Sequence, residues 1–287
     1  AINPFGYKFS WHPRGALGAA RRPARFLQDG KEIEVAKDRV FEHYSMKCID
    51  SLGWLESYPN MDALPYLENY NIPSARSIYR GTLRYTGWGE TMKKFIQLGL
   101  LNEIGRPGLE AGTCQEFTGR LIGSAGGDDL EQDLARYLGI DKDSTVIKRM
   151  QWLGLLDRRP VPAGSHSAFD LVLELMNEKM GYAREERDMV VLRDEIVARF
   201  SDRDELLQKT MTLIDYGHPG GDSAIARTVG LPSAIAARLM LEGRFDLTGV
   251  HLPVQPEIYE PVLAELPRQG IHVREQEKTL SQTEQRR

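Results

Sequence analysis

The six residues Arg80-Gly81-Thr82-Leu83-Arg84-Tyr85 concentrate groups that recognise a small anion. Two arginines stand four apart, and each guanidinium is a planar fork of donors that matches a carboxylate or phosphate. Gly81 would let a ligand approach the backbone closely, and Thr82 adds a hydroxyl. The stretch lies in a polar break between two apolar segments. The same residues also suit a surface loop whose arginines pair with neighbouring Asp or Glu, since most arginines lie on surfaces.

A second candidate is Asp215-Tyr216-Gly217-His218-Pro219-Gly220-Gly221-Asp222-Ser223. Here a β-type run meets a glycine-rich turn and a helix start, whose free N–H groups suit an anion. The competing reading is a strand–turn–helix connection with an ordinary N-cap. Gly123-Ser124-Ala125-Gly126-Gly127 reads as a flexible linker, because no strand precedes it and no Gly-Lys-Ser/Thr follows. Arg14-Gly15-Ala16-Leu17-Gly18-Ala19 has the wrong glycine spacing for a dinucleotide fingerprint. The six histidines are scattered singly, and metal ligands come in pairs at short spacing, so no metal site is expected. No Ser/His/Asp triad stands out. None of the carboxylates is marked as a general acid or base, so the sequence assigns no catalytic residue.

The elements that position these groups follow from periodicity. Phe5, Tyr7, Phe9 and Trp11 alternate with smaller or polar residues, as in a strand or extended loop. Residues 14–27 are rich in helix formers, broken by Gly18 and Pro23. Asp29-Gly30 before the alternating Lys31–Val35 reads as a hairpin turn. A helical turn is expected at 62–70, and Ile78–Tyr79 reads as the end of a strand feeding the arginine motif. Helices are expected at Glu90–Leu101, Leu130–Leu138, Thr145–Leu153, Ser167–Met180 and Pro256–Leu266. Residues 105–129 read as a loop. Met189–Phe200 and Lys209–Tyr216 read as an antiparallel pair. Asp222–Glu242 reads as a long helix interrupted at Gly230-Leu231-Pro232. Ile271-His272-Val273 is the last strand expected, with a frayed tail beyond it. Interspersed strands and helices define an α/β (α+β) class, a mixed β-sheet flanked by helices.

Composition narrows the function. Apolar residues make up 41% and charged residues 27% of 287 residues, an ordinary globular balance. The net charge of −4 argues against a nucleic-acid binder, which would carry a basic excess. Two cysteines without CxxC spacing point to a reducing, cytoplasmic setting. No apolar run reaches the roughly 18 residues that read as a membrane span. The chain opens Ala1-Ile2-Asn3-Pro4, with no initiator methionine and no secretory pattern, and so reads as processed or cut from something longer.

At Asn3–Trp11 (NPFGYKFSW), Tyr58–Asp62 (YPNMD) and Arg80–Tyr85 (RGTLRY) the chain resembles saccharopine dehydrogenase of the glutamate-forming type, also called saccharopine reductase. Further segments follow in family order: Trp152–Leu155, Glu186–Leu192, Asp215–Gly217, Ala226–Pro232, Gly249–Pro253 and Glu257–Pro261. The resemblance covers roughly residues 3–275, and residues 276–287 are left as the tail.

The resemblance implies the substrate-binding and dimerisation domain of a two-domain dehydrogenase, with the Rossmann domain that binds NAD or NADP lying upstream of this sequence. It implies oxidation of saccharopine to L-glutamate and 2-aminoadipate 6-semialdehyde, or the reverse, in lysine metabolism, by a cytoplasmic homodimer. The implied partners are saccharopine and a second copy, with neither nucleic acid nor membrane. Trp11 matches the tryptophan that borders the cofactor, and Thr82, Leu83 and Arg84 match the stretch that holds saccharopine, with Arg84 as the carboxylate clamp. Met61 is the departure. The family resembles Tyr-Pro-Asn-Arg-Asp there, and that arginine contacts saccharopine. A thioether cannot replace a charge-assisted hydrogen bond. Two alternatives therefore stand beside the main expectation: a relative acting on another amino-acid-derived imine, such as a carboxynorspermidine-type substrate, and a non-catalytic ligand-binding or dimerising domain.

Overall fold

The computed structural model describes residues 3–124, 129–201 and 205–280, with the side chain of Glu110 left aside. The linker expected at 123–127 and the tail from 281 onward therefore lie largely outside the described residues. The chain divides into two compact units, residues 1–181 and 182–287.

In the first unit, α1 (Pro13–Gly18) begins at His12, whose ring accepts from the Gly15 N–H. A 3-10 turn follows, and Pro23 ends the helical stretch. The helix formers expected to run to residue 27 thus give way to β1 (Ala24–Gln28), which pairs antiparallel with β2 (Lys31–Val35) across Asp29-Gly30. Then come β3 (Ser45–Ile49), β4 (Gly53–Pro59), α2 (Pro65–Asn69) and β5 (Gly81–Tyr85). The antiparallel sheet β3-β4-β5 leaves β5 at an edge. The arginine motif is therefore mostly strand, where the sequence suggested a polar break. Its register sets Thr82 opposite Tyr58 and Arg84 opposite Glu56.

The helices α3 (Trp88–Gln97), α4 (Cys114–Ile122), α5 (Leu130–Leu138), α6 (Thr145–Leu153) and α7 (Ala168–Lys179) complete this unit. α4 falls where a loop was expected. A capping box at its start explains it: the Thr113 hydroxyl accepts from the Glu116 N–H while the Glu116 carboxylate accepts from the Thr113 N–H. The core of the unit gathers Phe5, Phe41, Tyr58, Trp88, Phe95 and Phe169 with aliphatic residues from α3 to α7.

The second unit holds the long hairpin β6 (Met189–Arg199) and β7 (Leu206–Tyr216), then α8 (Ala224–Leu241), α9 (Pro256–Glu265) and β8 (Val273–Leu280). β8 pairs antiparallel with β7 through Leu280, so residues 276–280, expected in the frayed tail, are strand. α8 runs unbroken through Pro232. At 18 residues and mean hydropathy 1.3 it is long and apolar enough to cross a membrane by length and composition alone. Arg227 and Arg238 within it are ion-paired to Asp215 and Glu265, which ties it to β7 and α9. A small core of Leu213, Ile235, Leu239, Val262, Leu266 and Ile271 lies beneath it. The class is α+β as expected, with the strands of the described residues divided among three small antiparallel sheets.

Candidate functional site

Side chains two apart on a strand share a face. Thr82 and Arg84 therefore sit together on β5, facing the same way as Tyr58 on β4. Arg84 is half-buried. Its guanidinium carbon lies 4.7 Å from the centroid of the Tyr7 ring and 5.6 Å from that of Trp88, close enough for cation–π attraction. Nη1 donates to the Leu83 carbonyl at 2.8 Å, while Nε is buried and has no hydrogen-bond partner. Among the described residues no carboxylate pairs with Arg84.

The acid opposite it is already occupied. Glu56 is buried and accepts from the Gly87 N–H at 2.5 Å and the Gly89 N–H at 2.9 Å, so its charge caps the positive start of α3. Arg149 holds the same turn from the other side, donating to the carbonyls of Pro4, Thr86 and Gly87 and to the Thr91 hydroxyl. This pinning fixes Trp88 against Phe5 and Tyr7. Burial pushes the phenols of Tyr58 and Tyr7 above their ordinary value, opposed by the nearby Arg84 charge. The arrangement is a fixed, partly desolvated cation with aromatic walls, a neutral phenol and a hydroxyl beside it. It suits an anionic group with an apolar stem.

Gly81 has a different role from the one its sequence suggested. A Cβ there would meet the Ser57 hydroxyl oxygen at 2.5 Å and the Tyr79 ring at 2.6 Å. The residue is small because a side chain of the neighbouring strand, Ser57, and that of Tyr79 just before β5 crowd it. Leu83, on the opposite face, pairs with Ser57 across the ladder.

Met61 lies just beyond β4, exposed, with a left-handed backbone at φ 63°. Two guanidiniums reach its sulfur, Arg22 Nη1 at 3.9 Å and Arg80 Nη1 at 3.8 Å. Position 61 has therefore not become an uncharged spot, which removes the support Met61 gave to a less acidic substrate. Trp11 stands on the loop before α1 with 61% of its surface exposed, while Phe5, three steps of the alternation earlier, is buried. Sequence reasoning singled out Arg84 and missed Tyr58, Tyr7 and Arg22. Period-two alternation from Thr82 would have exposed Tyr58 only with the β4 register in hand.

The helix-start N–H groups after the glycine-rich turn 215–223 are already taken. The buried Asp188 carboxylate accepts from the N–H groups of Ala224 at 2.6 Å and Ile225 at 3.0 Å, and the Ser223 hydroxyl accepts from Ala226. The capping reading holds, with an internal acid in place of an external anion. An open depression of about 550 Å³ is lined by residues of 105–111 with Ser165 and His166, and it shares no residue with the arginine strand.

A half-buried arginine on an edge strand, walled by aromatic rings in an α+β unit, has the chemistry of a carboxylate-binding site. The chain belongs to the family of the saccharopine dehydrogenase C-terminal domain, whose model matches residues 1–271. It is 37% identical over 278 residues to the mitochondrial alpha-aminoadipic semialdehyde synthase of Bos taurus, matching 94% of this chain and 30% of that protein. It is 34% identical over 286 residues to the saccharopine dehydrogenase [NADP(+), L-glutamate-forming] of Pyricularia oryzae, 95% of this chain and 62% of that one. Among solved structures, the apo saccharopine dehydrogenase (L-Glu forming) of Saccharomyces cerevisiae superposes with a TM-score of 0.88 at 32% identity, over 98% of this chain and 64% of that one. The chain thus spans less than two thirds of the length of these relatives.

Proposed function

We propose that this chain is the substrate-binding part of an oxidoreductase that converts saccharopine to L-glutamate and 2-aminoadipate 6-semialdehyde, or the reverse. The observation that carries it is Arg84, a half-buried cation with an unpartnered Nε and, among the described residues, no carboxylate partner. Saccharopine has three carboxylates to offer. One of them against Arg84 would satisfy the orphan donor, while the rings of Tyr7 and Trp88 exclude water from the pair.

The relatives' name supports NADP as cofactor, with NAD as the other candidate, accepting hydride from the substrate carbon that bears the bridging nitrogen. Trp11 fits a bordering role, since its exposed indole offers a flat apolar surface. The phosphate-binding part has no counterpart at 215–223, where Asp188 holds the helix N–H groups. The chain's own tasks are to bind the carboxylates, to orient the substrate along β5 and to keep the Arg84 face dry. Free thiols at Cys48 and Cys114 suit a reducing, cytoplasmic setting.

The test is saccharopine-dependent reduction of NADP or NAD by the complete enzyme, with Arg84→Ala alongside. Loss of a charge-assisted carboxylate contact should weaken saccharopine affinity about tenfold or more, corresponding to ~1.5–3 kcal/mol. No turnover with either cofactor in either direction would sink the activity. Unchanged affinity in Arg84→Ala would place the substrate elsewhere.

A further inference from the structure

Arg22 and Arg80 come from distant parts of the chain and converge on one uncharged atom. Backbone pairing explains why. The Arg25 N–H donates to the Met61 carbonyl at 3.0 Å, which brings the segment before β1 to position 61. The Asn60 N–H donates to the Arg80 carbonyl at 2.9 Å, which carries the β4–β5 ladder one pair further. The Met61 sulfur, a weak acceptor, then receives an Nη1 from each side. The left-handed backbone at Met61 is uncommon for a residue other than glycine, asparagine or aspartate.

Among the described residues no anion answers these two charges. Asp62, next along the chain, is taken by Arg25 through contacts of 3.2 and 2.6 Å. Glu32 is also paired to Arg25, and Asp38 to Arg21. Among the described residues neither Arg22 nor Arg80 has a carboxylate partner, and both are exposed. Two like charges drawn to a neutral sulfur repel each other, a cost that a bound anion between them would remove. Arg80 also continues the face of Thr82 and Arg84. Four residues along a strand place its Cα roughly 13 Å from that of Arg84, a separation suited to one extended ligand charged at both ends.

We propose that Arg22 and Arg80, flanking Met61, form a second carboxylate clamp that holds the far end of the ligand whose near end Arg84 binds. The proposal rests on the saccharopine reading above and assigns two specificity-determining residues to it. Met61 serves as an apolar floor that keeps the two guanidiniums apart and leaves their remaining donors for the ligand.

The test is calorimetric titration of saccharopine, and of its three analogues each lacking one carboxylate, into the complete enzyme. Arg22→Ala, Arg80→Ala, the double variant, Arg84→Ala and the charge-keeping Arg22→Lys/Arg80→Lys are compared, with melting curves to confirm folding. Each single substitution is expected to weaken saccharopine severalfold and the double variant about tenfold or more, with the lysine pair in between. One analogue should be bound equally by wild type and the double variant, because it lacks the carboxylate the clamp holds. Met61→Arg added to the double variant should recover affinity. If the double variant binds saccharopine like wild type while Arg84→Ala does not, the clamp is refuted and the saccharopine reading stands. If wild type binds no saccharopine, both fall.

Discussion

At the scale of single residues, burial and crowding decide what the arginine motif does. Gly81 illustrates it. A methyl group there would sit 2.5 Å from the Ser57 oxygen, so Gly81→Ala should destabilise the fold by about 1–3 kcal/mol, measurable by denaturant titration. An unchanged midpoint would mean that Ser57 and Tyr79 yield easily. Tyr58 gives a pH signature. Burial holds its folded phenol above the ordinary 10.0, so its contribution to stability is present below pH 10 and is lost as pH rises from there through the folded value. Tyr58→Phe should flatten that alkaline loss in unfolding curves taken from about pH 8 to 11. The chemistry of Arg84 was legible from its type, because only an arginine offers that donor fork. What isolates it was not: Glu56 lies 28 residues away along the chain, and nothing local shows that its carboxylate is spent on α3.

At the scale of elements, what was legible depended on whether the signal was local. α5, α6 and α7 carry their own apolar stripe and a glycine or a cap at an end, and they stand where periodicity put them. α4 was signalled by the Thr113/Glu116 capping box, yet the glycines around it masked the pattern. β3 and β4 show mixed alternation, Trp54 being exposed beside a fully buried run from Leu55 to Pro59. Their pairing is set by a turn and by the distant β5, so they escaped notice. α8 is a case where one buried acid substitutes for several weaker signals. Asp188→Ala would leave the Ala224 and Ile225 N–H groups without acceptors and should cost about 1–3 kcal/mol. Hydrogen exchange should then quicken at the first turn of α8. Exchange that speeds uniformly along the helix would show that Asp188 supports more than its start.

At the scale of the whole molecule, the two units have separate cores of very different size. The larger is built mainly from helices α3 to α7, with residues of α1, β1, β2 and β4, and its unit carries the arginine strand. The smaller spends much of its apolar surface outward: Leu192, Ile196 and Val197 on β6 and Val229, Met240 and Leu241 around α8 are all more than half exposed. Exposed apolar side chains in this number are a common mark of association, in keeping with the homodimer that the family resemblance implies. Light scattering at micromolar concentration should return twice the chain mass, and Leu192→Glu with Ile196→Glu should return the monomer without loss of melting temperature. A monomeric wild type would assign the patch to another partner.

The stacking of Arg84 over Trp88 has an optical consequence. An indole's emission responds to the electric field of a cation held over its ring, and here that cation is the one proposed to meet the ligand. Of the four tryptophans, Trp11 and Trp54 are exposed and Trp88 is fully buried. With Trp11, Trp54 and Trp152 changed to Phe, the remaining fluorophore should shift its emission when a carboxylate neutralises Arg84, and stay silent in the Arg84→Ala background. The protein would then report its own occupancy without a label or a cofactor.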